Sequence, residues 1–252
     1  MVKIAVLNQK GGVGKTTSVI NLASYLGKLG KQVTIVDFDP QGNATSGLGV
    51  DKEGLGSTIY DIVINGDSLT DALLETRFEN IYLLPTNQQL AGAEVELASA
   101  DDREQKLKEA LKDHDTDFVL IDCPPSLGLL TINALVAADF VLIPVQSEYY
   151  ALEGLSQLIT VIQRVRESFN QDLKILGIVL TMADSRTSLA DQVEAEVRKH
   201  FADLVFKTVI PRNVRLAEAP SHGRPISEHD RWSKGAKAYK NLTKEILSRV
   251  SS

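Results

Sequence analysis

Short apolar runs alternate along this chain with longer segments of helical period. Continuous Val/Ile/Leu-rich runs predict strands at Lys3–Leu7, Val33–Asp37, Ile81–Leu84, Phe118–Asp122, Phe140–Pro144, Ile175–Leu180 and Val205–Ile210. Unbroken hydrophobicity of this kind is what a strand buried on both faces of a parallel sheet requires. Between them, apolar spacing of three to four predicts helices at Thr16–Leu29, Asp102–Lys112, Leu127–Ala137, Gly154–Ser168, Leu189–His200 and Lys234–Val250. Gly30 stands where a glycine usually stops a helix. The alternation predicts an α/β protein: a doubly wound, mostly parallel sheet flanked by helices, with right-handed crossovers. No Pro/Gly/Ser-rich linker, long charge block or internal repeat interrupts it, so residues 1–252 are expected to form a single domain. Ligands of such sheets bind beyond the carboxyl ends of the strands. The chemistry is therefore expected just after Leu7, Asp37, Asp122, Pro144 and Leu180.

The first of these positions carries Asn8-Gln9-Lys10-Gly11-Gly12-Val13-Gly14-Lys15-Thr16-Thr17, followed at once by helical pattern. Glycines let successive backbone N–H groups turn toward one anion, and the helix N-terminus adds its positive end. In such a loop Lys15 reaches the β- and γ-phosphates of a nucleotide and the Thr16 hydroxyl ligates Mg²⁺. The standard pattern has glycine where Gln9 stands, and a second lysine, Lys10, heads the loop instead. Two further strand ends carry acids. Asp37 and Asp39 follow the Val33 run, with Asp39 placed to position an attacking water and Asp37 placed for the metal or the loop. Asp122 closes the apolar run Phe118–Ile121 and is read as a Mg²⁺ ligand, direct or through water.

Composition narrows the class. With 43% hydrophobic and 24% charged residues the chain is ordinary globular material, and no apolar run approaches the ~18 residues of a spanning helix. The first residues read as a strand rather than a signal peptide. One cysteine, Cys123, permits no intrachain disulfide and cannot alone hold a cluster or structural zinc; the four histidines lack ligand spacing. A cytoplasmic protein is expected. The net charge of -6 conceals an asymmetry: residues 1–197 carry -13 and residues 198–252 carry +7. A basic face on an acidic body is thus expected.

The strings Lys10–Thr17, Asp37–Asn43 and Asp122-Cys123-Pro124-Pro125-Ser126 resemble those of the deviant Walker A ATPases. Gln41–Gly49, Tyr149–Leu155 and Pro211–Ser221 extend the resemblance over nearly the whole chain, to the ParA/Soj branch that segregates chromosomes and plasmids. It implies a P-loop NTPase fold binding ATP or ADP with Mg²⁺. Nothing resembling an N-terminal helix-turn-helix precedes the phosphate loop, as in the short chromosomal type.

In this family ATP drives a two-fold sandwich dimer, and Lys10 matches the lysine that reaches the partner's nucleotide. Asp39 matches the carboxylate that supports hydrolysis, and Asp122 the second switch. Adenine is expected near Met182, Pro211 and Asn213. Non-specific double-stranded DNA is expected to bind the dimer, with Arg186 and Arg215 matching the family's arginines and Lys199, Lys207, Arg224 and Lys234 as further cations. A ParB-type centromere-binding protein is the implied partner, and association with the nucleoid the implied location. The competing reading is a membrane-surface switch of the MinD type, suggested by the stripe Tyr239, Leu242, Ile246 and Val250 on the last helix. Such a stripe more often packs into a core, and a third reading, a metabolic or nitrogenase-reductase relative, lacks its bridging cysteines.

Overall fold

The computed structural model describes residues 1–148, 151–184 and 188–251, with the backbone alone for residues 151, 153 and 188–190. The expected alternation is present: β1 (Val2–Val6), α1 (Lys15–Gly27), β2 (Val33–Asp37), α2 (Asn43–Gly47), α3 (Leu69–Ala72), β3 (Leu74–Glu75), β4 (Ile81–Leu84), α4 (Leu90–Leu97) and α5 (Lys106–Ala110). Then follow β5 (Phe118–Asp122), α6 (Leu129–Ala137), β6 (Phe140–Gln146), α7 (Ala151–Ser168), β7 (Lys174–Thr181), α8 (Ser188–Phe201), α9 (Val214–Glu218), α10 (Ile226–His229) and α11 (Lys234–Val250). The strands form one seven-stranded sheet in the order β3-β4-β2-β5-β1-β6-β7. Every pairing is parallel except that of β3 with β4.

Every strand except β3 feeds two cores, because alternate side chains leave opposite faces of the sheet. In β1, Ile4 and Val6 pack with α1 and with Tyr239, Leu242 and Ile246 of α11, whereas Ala5 and Leu7 face Leu130 and Ala134 of α6 and Leu155 and Leu158 of α7. The apolar stripe of α11 is therefore core. Gly30 terminates α1 as expected: its N–H bonds to Gly27 O at 2.9 Å, Lys31 N bonds to Leu26 O at 3.2 Å, and its φ of 79° is left-handed.

Two expected elements differ. Residues 205–210 are not a strand. They follow the outer edge of β7 through an isolated bridge from Ile178 to Val205 and a bond from Ile210 N to Leu180 O at 2.8 Å, with a second isolated bridge, Ala183 to Pro211, just past both. The cause lies in α11, where the Glu245 carboxylate accepts from Lys207 N at 2.8 Å and Thr208 N at 2.9 Å, pulling those donors out of the ladder. The helix expected at Asp102–Lys112 shrinks to α5, since Asp102 adopts a φ of 50° and Gln105 N closes a turn on its carbonyl at 2.8 Å.

Candidate nucleotide site

The parallel register sets the site. Val6 of β1 and Asp37 of β2 both pair with Asp122 of β5, so three chain ends leave the sheet side by side. Beyond β1 the loop folds back on the sheet. Asn8 Nδ2 donates to Pro144 O at 2.7 Å, and Lys10 N donates to Asn8 Oδ1 at 3.0 Å. Thr181 Oγ1, at the end of β7, donates to Val13 O at 2.8 Å. Gly12 and Gly14 hold φ values of 74° and 92°, which side-chain-bearing residues rarely adopt. These two left-handed residues shape the loop before α1 begins at Lys15.

Lys15 is buried, with 7% of its surface exposed, and its Nζ lies 3.4 Å from Lys10 O. Burial lowers its pKa, while Asp122 and Asp39 oppose that shift. Asp122 and Asp37 have no exposed surface. Burial raises the Asp122 carboxyl well above its ordinary range, Asp37 and Asp39 add to the effect, and Thr16 and Lys15 pull against it. Asp37 is pushed up to about 6, chiefly by burial. Its Oδ2 accepts from Thr45 N at 2.7 Å and from Thr45 Oγ1 at 2.6 Å, and Thr86 N donates to the same hydroxyl at 3.2 Å. Asp37 thereby ties α2 to the end of β4. Asp39 accepts from Gln41 N at 3.0 Å and sits in the turn between β2 and α2.

Lys15, Thr16, Asp37, Asp39 and Asp122 are thus gathered at one place, as expected. Both Asp122 oxygens and Asp37 Oδ1 are buried without a hydrogen-bond partner, and the Thr16 hydroxyl beside Asp122 acts to lower its pKa. Buried, unsatisfied carboxylate oxygens are costly. They fit a hard divalent cation, which takes oxygen ligands. Among the described residues no group of three Asp, Glu, His or Cys side chains is arranged to hold a metal.

Beside the loop lies a cavity of about 230 Å³ lined by Gly14, Thr17, Met182, Pro211, Asn213 and Tyr239 among others. All three residues expected near adenine line it. Met182 has a φ of 52°, and Asn213 caps α9 by accepting from Leu216 N at 3.2 Å. Tyr239, whose hydroxyl lies 3.1 Å from Ser18 Oγ, also lines this cavity; in sequence it stood out only as part of the apolar stripe of the last helix, not as a cavity residue. Lys10 is exposed and paired with Glu148, a partner equally unannounced by spacing.

The cations expected on DNA are spread out. Lys207 and Lys234 line one wide cavity between α8 and α11. Arg224 lines another with Lys28 and Arg77, at the far end of α1. Lys199 pairs with Glu196 at 3.4 Å, and Arg215 is held by Glu218 at 2.9 Å and Asp230 at 3.7 Å. Arg186 lies outside the described residues. No helix among the described residues is long and apolar enough to cross a membrane.

Known proteins share this arrangement. A family model described as an AAA domain matches residues 1–175. The chain is 55% identical over 247 residues to the sporulation initiation inhibitor protein Soj of Bacillus subtilis, covering 97% of this chain and 98% of that one. It is 54% identical to the chromosome-partitioning ATPase Soj of Thermus thermophilus, covering 98% and 96%. A crystal structure named as cobyrinic acid a,c-diamide synthase from Mycobacterium smegmatis, with bound ATP analog and magnesium, superposes with a TM-score of 0.88. It is 39% identical over 100% of this chain and 96% of its own.

Proposed function

Because this chain belongs to the Soj/ParA family of chromosome-partitioning P-loop ATPases, we propose that it is a nucleotide-operated DNA switch. ATP closes two copies into a sandwich dimer that binds DNA without regard to sequence, and hydrolysis to ADP releases it. The observation carrying this reading is the phosphate loop set against the buried, partnerless Asp122 carboxylate. The arrangement is incomplete without a phosphate and a cation.

The loop's N–H groups and the positive end of α1 bind the phosphates. The Lys15 ammonium neutralises the terminal ones, and its burial strengthens that attraction. Thr16 and Asp122 are the residues that hold Mg²⁺, which when bound offsets the charge gathering on the phosphates. Asp37 acts chiefly through α2, since its Oδ2 is taken by Thr45. Asp39 orients the attacking water. Lys10 reaches the partner's nucleotide, and to do so it exchanges its ion pair with Glu148 for phosphate oxygens, as an arginine finger supplied in trans would. The cavity of Met182, Pro211 and Asn213 receives the base.

Arg186, Arg215 and the basic 198–252 segment supply phosphate contacts that position DNA but read no sequence. Two copies double that footprint, which makes binding depend on ATP and fall steeply with salt. A ParB-type partner carrying a basic peptide is drawn to the -13 body and raises an otherwise slow turnover, and the ATP-bound dimer resides on the nucleoid. Light scattering and a duplex mobility shift, each with Mg-ATP or Mg-ADP, test the switch. A dimer and a shifted duplex with ATP alone support it. A monomer throughout, or DNA binding indifferent to nucleotide, overturns it.

A further inference from the structure

The chain's sole tryptophan, Trp232, stands in the turn between α10 and α11 with 84% of its surface exposed, more than any other large hydrophobic side chain described. The turn that presents it is fixed. Trp232 N donates to Asp230 Oδ1 at 3.1 Å, and Ser233 donates to Asp230 O through Oγ at 2.9 Å and through its backbone N at 3.2 Å. Ser233 Oγ then caps α11 by accepting from Ala236 N at 3.1 Å. The indole is therefore held out into solvent by a built turn.

Its neighbours are cations. The Arg231 guanidinium lies 4.9 Å from the indole centroid. Asp230, whose Oδ1 fixes the turn, has its Oδ2 3.7 Å from Arg215 Nε, which places Arg215 at the foot of the same turn. Lys234 opens the helix that follows. A flat aromatic group stacked with Arg231, with Lys234 next along the chain and Arg215, itself paired with Asp230 and Glu218, at the foot of the turn, matches a nucleic-acid surface, where cations meet phosphates and an aromatic ring packs on sugars or bases. A bilayer suits it less, because α11 keeps its apolar stripe in the core and leaves no helix face to bury.

We propose that Trp232 is an apolar contact of the DNA surface, packing against the duplex between the phosphate contacts of Arg215, Arg231 and Lys234. This rests on the DNA-binding reading above and adds to it a component that counterion release does not supply. Phosphate contacts set the slope of log affinity against log salt, whereas an apolar contact changes affinity and leaves that slope alone.

The sole tryptophan is its own probe. Its intrinsic emission, followed while duplex DNA is added to the Mg-ATP form, is expected to quench or shift. In mobility shifts across a salt series, Trp232→Ala is expected to bind about fivefold more weakly or worse at unchanged slope, with Trp232→Phe recovering most of the loss. Wild-type DNA binding with unchanged emission, together with full affinity in Trp232→Ala, overturns the proposal while the DNA reading stands. A slope lowered in Trp232→Ala also overturns it, since the turn's charges would then carry the effect. Absence of wild-type DNA binding at low salt brings down both. An emission shift with phosphatidylglycerol-containing vesicles and none with DNA overturns it in favour of lipid.

Discussion

Lys15 is the residue on which the site's electrostatics turn: one buried ammonium faces Asp122 and Asp39. Lys15→Ala removes the only cation named in that cluster and leaves the carboxylates to repel the phosphates. A fluorescent ATP analogue is expected to lose at least tenfold in affinity, and unchanged affinity would show that the phosphates lie elsewhere. Asp39→Ala is expected to spare ATP binding and dimerisation and to slow hydrolysis by ~10²–10⁴-fold, so that an ATP-bound dimer accumulates in light scattering. The meeting of these side chains was legible in sequence because Asp37 and Asp122 close strands, Lys15 opens a helix and Asp39 stands two residues past its strand, where backbone direction dictates what the side chain meets. The partners Thr45 and Glu148 were not legible. Thr45 meets Asp37 only because α2 folds back onto β2, and Glu148 meets Lys10 across 138 residues of chain.

The elements divide along similar lines. β2, β4 and β5 match their apolar runs residue for residue, since burial on both faces leaves little room for other patterns. Residues 205–210 carried an equally apolar run, yet a carboxylate from α11 decides their course. Glu245→Ala is expected to free the donors of Lys207 and Thr208, lower stability by about 1–2 kcal/mol, and speed amide exchange at those two positions. Unaltered exchange there would mean that β7 alone holds the segment. Gly177 makes a companion case. A Cβ at that position would stand 2.7 Å from Leu204 O and 2.6 Å from the Phe206 ring, so Gly177→Ala is expected to cost about 1–3 kcal/mol, read as a lowered thermal midpoint. Apart from β4, residues 43–113 were least legible, because α2, α3 and β3 are two to five residues long and too short to show a period.

For the molecule as a whole, His114, whose Nε2 lies 2.7 Å from the fully buried Thr34 hydroxyl, is expected to contribute to acid sensitivity. Burial lowers its pKa from the ordinary 6.5, against the pull of Asp115. The unfolded chain then binds this proton more readily than the folded one. This contribution is full above about pH 6.5 and is lost as pH falls through the lowered folded value. His114→Gln is expected to narrow the drop in thermal midpoint between pH 7.5 and 5.5; an equal drop in both proteins would assign it to other groups. Charge is distributed at the same scale, and Arg215→Ala is expected to weaken DNA binding and lower the salt slope by roughly one per subunit while the ATP dimer survives size exclusion. Loss of the dimer would instead make Arg215 a structural ion-pair residue, serving Glu218 and Asp230.

The segment that fails to become an eighth strand has a consequence for how copies of this chain can meet. An uncovered strand margin invites another chain to add to it. Here Phe206 N and Ile210 N already bond to Ile178 O and Leu180 O of β7, while the opposite margin, β3, offers two residues running against its neighbour. One end of the sheet is occupied and the other is too short to template anything. In the switch proposed above, neither margin of the sheet is left to join copies strand to strand, so self-recognition would fall to the nucleotide-bearing face.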